Sequence, residues 1–447
     1  MHNFLNLGAA IQEQSYFCED SVDIAAPAVH WLKIFNTMAA GLLTVLLVLL
    51  TSCTAIKAPK TLFITFGVSE TRFKDESEEL RIFLDRLFEK FKRSNPDTNL
   101  VYINYKSKNI FKQIERDNAL SLGPDLVVAE QFSAPRYSAH GLTAILPNQQ
   151  DFNTIYSPRI QAAAKTNNEY TFAPFLISTQ IACFNRTTIK KSPGSIAELE
   201  KLSASGKKIG LSTHPFDLIW TAGTQGAISE LSSLGSQSVS GSTYPAIQKW
   251  LEWIETAALS QNISFHEDSR DLAEKLKNNE LDWVTCYGLQ LDDLKKTMGN
   301  SLGVSELPNG TTSKAFPTHF TYGFSLGKNS SPTQRDMAMK FIMANVNTIA
   351  QRKLELDNKG LLAANQNVSI PAESSKILTA LNTSFHEQRK NYAKKWPGIL
   401  RWFEPEKRSS KNFGKRYLQL RRTLTDFTNG YIDNTEALKI ITTPQTN

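Results

Sequence analysis

The chain has 447 residues, 41% hydrophobic and 21% charged, too long for one small domain and enough for roughly two or three of ordinary size. That balance excludes disordered, collagen-like and low-complexity proteins. Fifty Lys and Arg against 43 Asp and Glu give a net charge of +7, which alone points to an acidic partner such as nucleic acid or a membrane surface. Four cysteines, at positions 18, 53, 183 and 286, are too few for a disulfide framework and too scattered for a zinc site.

Ala39 to Leu50 is twelve residues long, with Thr44 as its polar member. A bilayer crossing needs about 20 apolar residues, so this run reads instead as the apolar part of an export signal, with Lys33 as its upstream positive charge. Leu50-Thr51-Ser52-Cys53 follows, small residues before a thiol that can carry a lipid. The run resembles the lipobox of bacterial lipoproteins; the competing reading is a buried helix that contains a cysteine. The lipobox reading implies a leader over 1–52 that is removed, a lipid on Cys53 and a polar tether over 54–60. Without the leader the chain has 49 basic and 39 acidic residues, a net of +10. In an exported chain that charge concerns anionic lipid head groups or a cell-surface polymer rather than nucleic acid.

Leu62 to Phe66 reads as a short apolar strand. Glu76 to Arg93 carries Leu80, Phe83, Leu84, Leu87, Phe88 and Phe91 at helical spacing, and Asn95-Pro96-Asp97 stops it. Leu100–Tyr105 is the next strand, Ile110–Ala119 a second helix, and Asp125–Ala129 a buried strand after the Gly123-Pro124 turn. Strands alternating with helices imply a parallel sheet covered on both faces, with ligands at the carboxyl ends of strands. The loops after Phe66 and Ala129 are therefore the first candidate sites.

This opening resembles that of extracellular solute-binding proteins, in particular the maltose-binding-like group of importer-coupled receptors. Further segments are similar in order: Gly141-Leu142 with Leu146-Pro147, Tyr170 to Pro174 with Ile181 to Asn185, Ser195 to Leu199, Leu307-Pro308, Tyr322 to Lys328, Ala363-Ala364-Asn365, and Thr428-Asn429-Gly430 with Ala437-Leu438. The resemblance spans about 61–441. It implies a periplasmic-binding-protein-like (type II) α/β fold, two lobes joined by a multi-strand hinge, with lobe one over 61–184 plus 308–358 and lobe two over 186–306 plus 360–447. It also implies a monomeric receptor without cofactor or metal, lipid-anchored in the bacterial cell envelope, that delivers a sugar, oligosaccharide or polyol to ABC permease subunits and is no enzyme. A receptor for a metal ion, anion or polyamine on the same fold, and a surface lipoprotein hydrolase, are the alternatives.

No dinucleotide, P-loop, HExxH or calcium-loop pattern occurs, and the seven histidines are scattered. Gly323-Phe324-Ser325-Leu326-Gly327 fits G-x-S-x-G, but Ser325 lies inside a strand pattern rather than at the strand-to-helix turn a nucleophile needs. Sugar sites combine flat aromatics with side chains that donate and accept hydrogen bonds. The candidate ligand contacts are Ser69 and Glu70 after the first strand and Glu130, Gln131 and Phe132 after the third, where the resemblance implies polar and aromatic ligand contacts. Further candidates are Trp220, Tyr287, His319, Tyr322 and Trp402, each with core packing as the competing role. Trp250, Trp253 and Trp283 read as core. Residues 389–422 hold twelve Lys and Arg, read as a solvated basic face. Cys183 and Cys286 both sit in apolar strand patterns and read as buried thiols, with a disulfide as the alternative.

Overall fold

The computed structural model describes residues 60–66, 76–103, 105, 110–236, 243–357, 360–371, 375–392, 394–403 and 415–443. The leader, Cys53, Ser69 and Glu70 lie outside the described residues. Pro59–Asn447 is one compact unit.

The first strands and helices follow the apolar spacing of the sequence. β1 (Lys60–Phe66) is flanked by two parallel partners, β2 (Thr98–Ile103) and β3 (Leu126–Glu130). The helix Glu76–Ser94 buries Phe83, Leu84, Phe88 and Phe91 on one face. Phe88 and Phe91 meet Phe341 of the helix Pro332–Val346 at 5.0 and 5.2 Å, and burying each such ring stabilises by about 1.5–3 kcal/mol. β4 (Thr143–Ala144) and the hairpin β5 (Lys165–Thr166) to β6 (Glu169–Tyr170) come next. Asn167 and Asn168 turn that hairpin with φ of 52° and 65°, the left-handed pair a two-residue turn requires.

β7 (Ala173–Asn185) is buried at all thirteen positions and joins two half-sheets. Lobe two continues through β8 (Ile209–Ser212), β9 (Ile263–His266), β10 (Trp283–Tyr287) and β11 (Leu302–Ser305). The chain then returns through β12 (His319–Gly327) and β13 (Leu362–Ala363). The first half of β7 pairs antiparallel with β12 and β13, and the second half with β10 and β11. Strand order is β2-β1-β3-β12-β7-β10-β8-β9. Two α/β lobes thus share one long strand, and the return strand β12 lies beside it. β7 runs unbroken from Ala173 to Asn185, so the lobes are joined by a few strands rather than by a flexible linker.

One expectation is corrected. Cys183 and Cys286 are not two thiols but a disulfide, with Cα atoms 5.9 Å apart. The register explains it: Cys183 faces Val284 and Ile181 faces Cys286, so both side chains point to one face of the sheet on adjacent strands. The bond closes a separation of 103 residues. Disulfides persist in oxidising compartments. Among the described residues no helix is long and apolar enough to cross a membrane.

Candidate functional site at the lobe seam

β3 ends at Glu130, and the chain leaves its carboxyl end toward lobe two. Gln131 is buried, its backbone N–H donating to Thr321 O and its side-chain amide to His319 O, both at 3.0 Å. These bonds aim the next residue across the seam. Phe132 meets the edge of Phe216 at 5.5 Å and faces Phe320 at 6.3 Å. Phe216 belongs to lobe two, at the start of the helix Pro215–Thr224, where His214 Nδ1 accepts from the Phe216 N–H at 3.3 Å. Around Phe216 lie Phe320 at 4.8 Å, Phe403 at 5.0 Å and Trp396 at 6.4 Å. Aromatic rings from both lobes therefore meet.

Beneath the rings runs a buried polar network. Asp217 Oδ1 accepts from Tyr287 OH at 2.8 Å, and its Oδ2 accepts from the Ser269 N–H at 3.2 Å and Ser212 Oγ at 3.3 Å. The Tyr287 hydroxyl also lies 2.7 Å from Thr318 Oγ1, which donates to Phe216 O at 3.0 Å. Gln180, midway along β7, donates to Asp217 O at 2.7 Å and offers Oε1 to Thr318. The network ties the ends of β8 and β10 to the shared strand and to the entry of β12. Charged and neutral groups satisfy one another there, which holds the lobe-two wall in one arrangement.

His319 opens β12 opposite Thr179. Its ring stacks on Trp396 at 5.1 Å, and its Nδ1 faces Nη1 of Arg389. Burial, with the positive charges of Arg389 and Arg159, holds the imidazole well below its usual pKa, so it is neutral and Nδ1 accepts. Arg389 itself is fully buried, which corrects the reading of 389–422 as one solvated basic face. Arg416 is drawn in as well, its guanidinium 4.1 Å from the Trp402 ring, whereas Lys390, Arg401 and Arg422 are exposed. Long basic side chains bury their stems, and Arg stacks on rings, so charge runs need not form one face.

The other candidates fall in two groups. Tyr322 is buried in β12 opposite Glu130 and Leu176 and lies 6.5 Å from Phe320. Glu130, Gln131, Phe132, Tyr287, His319 and Tyr322 thus gather along the end of β3, β12 and the end of β10. Trp220 and Trp402 point elsewhere. The Trp220 ring packs at 6.1 Å on Trp283 inside lobe two, while Trp402 Nε1 donates to Leu231 O at 2.8 Å. Trp250 and Trp253 are buried, bonded to Thr221 Oγ1 and Glu200 Oε1. Ser325 is buried mid-strand opposite Val127, not at a turn. Among the described residues no group of three or more His, Cys, Asp or Glu could hold a metal ion. Residue-by-residue reading missed Asp217, Gln180, Thr318 and Arg389, whose partners are distant in the chain.

No protein-family profile and no curated protein matches the sequence. Solved structures match its fold. The GacH receptor of Streptomyces glaucescens GLA.O, determined unliganded and with acarbose and an acarbose homolog, superposes with a TM-score of 0.61 at 15% identity, over 86% of this chain and 97% of that one. The maltodextrin binding protein MalE1 from L. casei BL23 gives 0.61 at 10% identity over 86% and 99%. An ABC transporter solute binding protein from Thermotoga lettingae TMO, bound with α-D-tagatose, gives 0.59 at 12% identity over 86% and 98%. The chain therefore has the type II periplasmic-binding-protein-like fold that the maltose-binding-like solute-binding proteins share.

Proposed function

We propose that the chain is a solute-binding receptor of an ABC importer, taking a sugar, oligosaccharide or polyol between its lobes while lipid on Cys53 holds it at the membrane. The observation that carries this reading is the seam itself. Rings from both lobes, Phe132 against Phe216, lie over a buried network of hydroxyl, amide and carboxylate groups. That is the pairing of apolar faces with donors and acceptors that a polyhydroxylated ring asks for. The fold is shared with binding proteins whose structures hold acarbose or tagatose. The disulfide fits an exported chain.

In this reading the lobes open and close about β7 and β12. A solute that touches both walls favours the closed form by its differential affinity for the two states, and permease subunits read that form. Shifting a 1:99 equilibrium to 99:1 needs about 5.5 kcal/mol of such preference. The test is a thermal-shift screen of the protein against sugars, polyols, polyamines, phosphates and metal ions. A ligand at about a hundredfold its Kd stabilises by about 2.7 kcal/mol. Stabilisation by a sugar or polyol without its consumption is expected. No shift from any of them overturns the assignment, and turnover would make the protein an enzyme instead.

A further inference from the structure

Arg389 has the most unusual surroundings of any charged group at the seam. It is 2% exposed, and its guanidinium lies 4.2 Å from the Trp396 ring, 5.3 Å from Phe316 and 6.0 Å from Phe385. One of its donors faces His319 Nδ1, and Nε has no hydrogen-bond partner among the described residues. A second cation is near: Arg159, from the helix Pro158–Ala164, donates to Phe385 O at 2.8 Å with its guanidinium 5.3 Å from the same ring. Its charge opposes that of Arg389. Among the described residues the other ionisable groups nearby are His319, held neutral, Tyr392, whose ring meets Phe316 at 5.3 Å, and His386 and Glu387, which are exposed. Among the described residues no carboxylate pairs with either arginine.

A buried charge is costly unless paired, and a guanidinium does not escape by losing its proton. Aromatic faces offset part of the cost. They leave in-plane N–H donors other than the one facing His319, Nε–H among them, without a partner among the described residues, and such donors match the paired oxygens of a carboxylate or phosphate. Position adds the second argument. Arg389 touches His319, His319 O accepts from Gln131, and Gln131 precedes the ring that meets lobe two. The unused donors therefore lie at the seam where the receptor reading puts the solute. We infer that the solute is an acidic sugar and that Arg389 receives its anionic group, a carboxylate or a phosphate. The inference rests on the receptor reading and narrows it: neutral sugars fill the aromatic wall but leave the buried cation unpaired.

The experiment titrates the protein with glucose, glucuronic acid and glucose 6-phosphate by calorimetry, at low and at moderate salt, and repeats this on Arg389→Met and Arg389→Lys. Glucuronic acid or glucose 6-phosphate should bind at least tenfold more tightly than glucose, and whichever binds more tightly identifies the group. Arg389→Met should abolish that preference, and its unfolding midpoint without ligand should not fall, because an apolar replacement for a buried unpaired charge is often neutral or stabilising. Arg389→Lys keeps the charge without the planar fork and should keep only part of the preference. Equal affinity of the wild type for glucose and both acids, or a preference unchanged in Arg389→Met, overturns the inference and leaves the receptor reading standing. If Arg389→Met does not fold, the wild-type comparison and Arg389→Lys still decide it. If none of the three binds, the acidic-sugar inference falls, while the receptor reading stands or falls with the thermal-shift screen.

Discussion

Removing the Phe132 ring should weaken solute binding without unfolding the protein. The ring is half-buried and is the lobe-one partner of Phe216, 5.5 Å away edge to face. Such a pair contributes about 0.5–1.5 kcal/mol beyond its buried area. The buried part of the ring adds on the order of 1 kcal/mol. Phe132→Ala therefore takes about 1.5–2.5 kcal/mol from the closed arrangement, which converts to roughly a 10- to 70-fold loss of affinity. In the receptor reading the open form would lose little, since opening would part Phe132 from Phe216. Calorimetric titration with the solute that gives the largest thermal shift measures the loss. Trp253→Phe is the control, because Trp253 Nε1 bonds to Glu200 within lobe two, 2.9 Å away. That variant should lower the unfolding midpoint and leave affinity intact. Phe132→Ala binding within twofold of the wild type would refute the part given to this ring pair in closing the lobes on the solute.

Three further outcomes follow from bonds at or near the seam. Replacing Cys183 and Cys286 by serine frees a separation of 103 residues; the chain-entropy relation puts the loss at about 4.7 kcal/mol. At about 2.1 cal/mol/K per residue, that lowers Tm by on the order of 6 °C for a unit of this length; an unchanged midpoint would show that the bond does not form. Tyr287→Phe removes the hydroxyl that donates to Asp217 and should cost about 1.5–3 kcal/mol, read from the urea midpoint. The third concerns pH. Burial and the charges of Arg389 and Arg159 depress His319, so on acidification the unfolded chain takes up a proton near pH 6.5 that the folded chain refuses. Stability is fully present above about pH 6.5 and falls as pH drops below it, by up to about 1.4 kcal/mol per unit. His319→Gln should flatten that slope between pH 7 and 5, and equal slopes in urea denaturation would disprove it.

What could be read along the chain was what depends on neighbours in sequence. Apolar spacing located the helix Glu76–Ser94, which buries one face, and an apolar run located β3, which is buried throughout. The rule that ligands lie at carboxyl ends of strands led to Glu130, Gln131 and Phe132, and the end of β10 to Tyr287. Long-range register was not readable. Whether Cys183 and Cys286 meet depends on which residues of β7 and β10 face each other, and a shift by one residue would turn one sulfur to the other face. Trp220, beside polar residues and a glycine, and Trp402, in a segment that resembles the family's C-terminal aromatic motif, were candidates for stacking on solute with core packing as the competing role. Their partners, Trp283 and Leu231 O, are set by how lobe two packs.

Charge shows the same division most plainly. A net charge counts each arginine equally, although a solvated one interacts weakly with anything beyond a Debye length of about 8 Å and a buried one governs its whole surroundings. Arg422 and Arg389 belong to the same basic run, yet Arg422 is exposed and Arg389 lies among Trp396, Phe316 and Phe385. What separates them is the return of the chain past His319, which brings the segment after the helix Lys376–Asn382 against the first residue of β12. In the receptor reading, two lobes that share β7 would give that contact a mechanical role. Opening would bring water to the guanidinium and relieve its desolvation, and closing removes that water again. The anionic group of an acidic sugar would replace the lost hydration in the closed state alone, so the differential affinity needed for closure would be concentrated at one side chain. A neutral solute would have to draw the same preference from ring contacts such as Phe132 on Phe216, so the relative losses in Phe132→Ala and Arg389→Met measure how closure is divided between them.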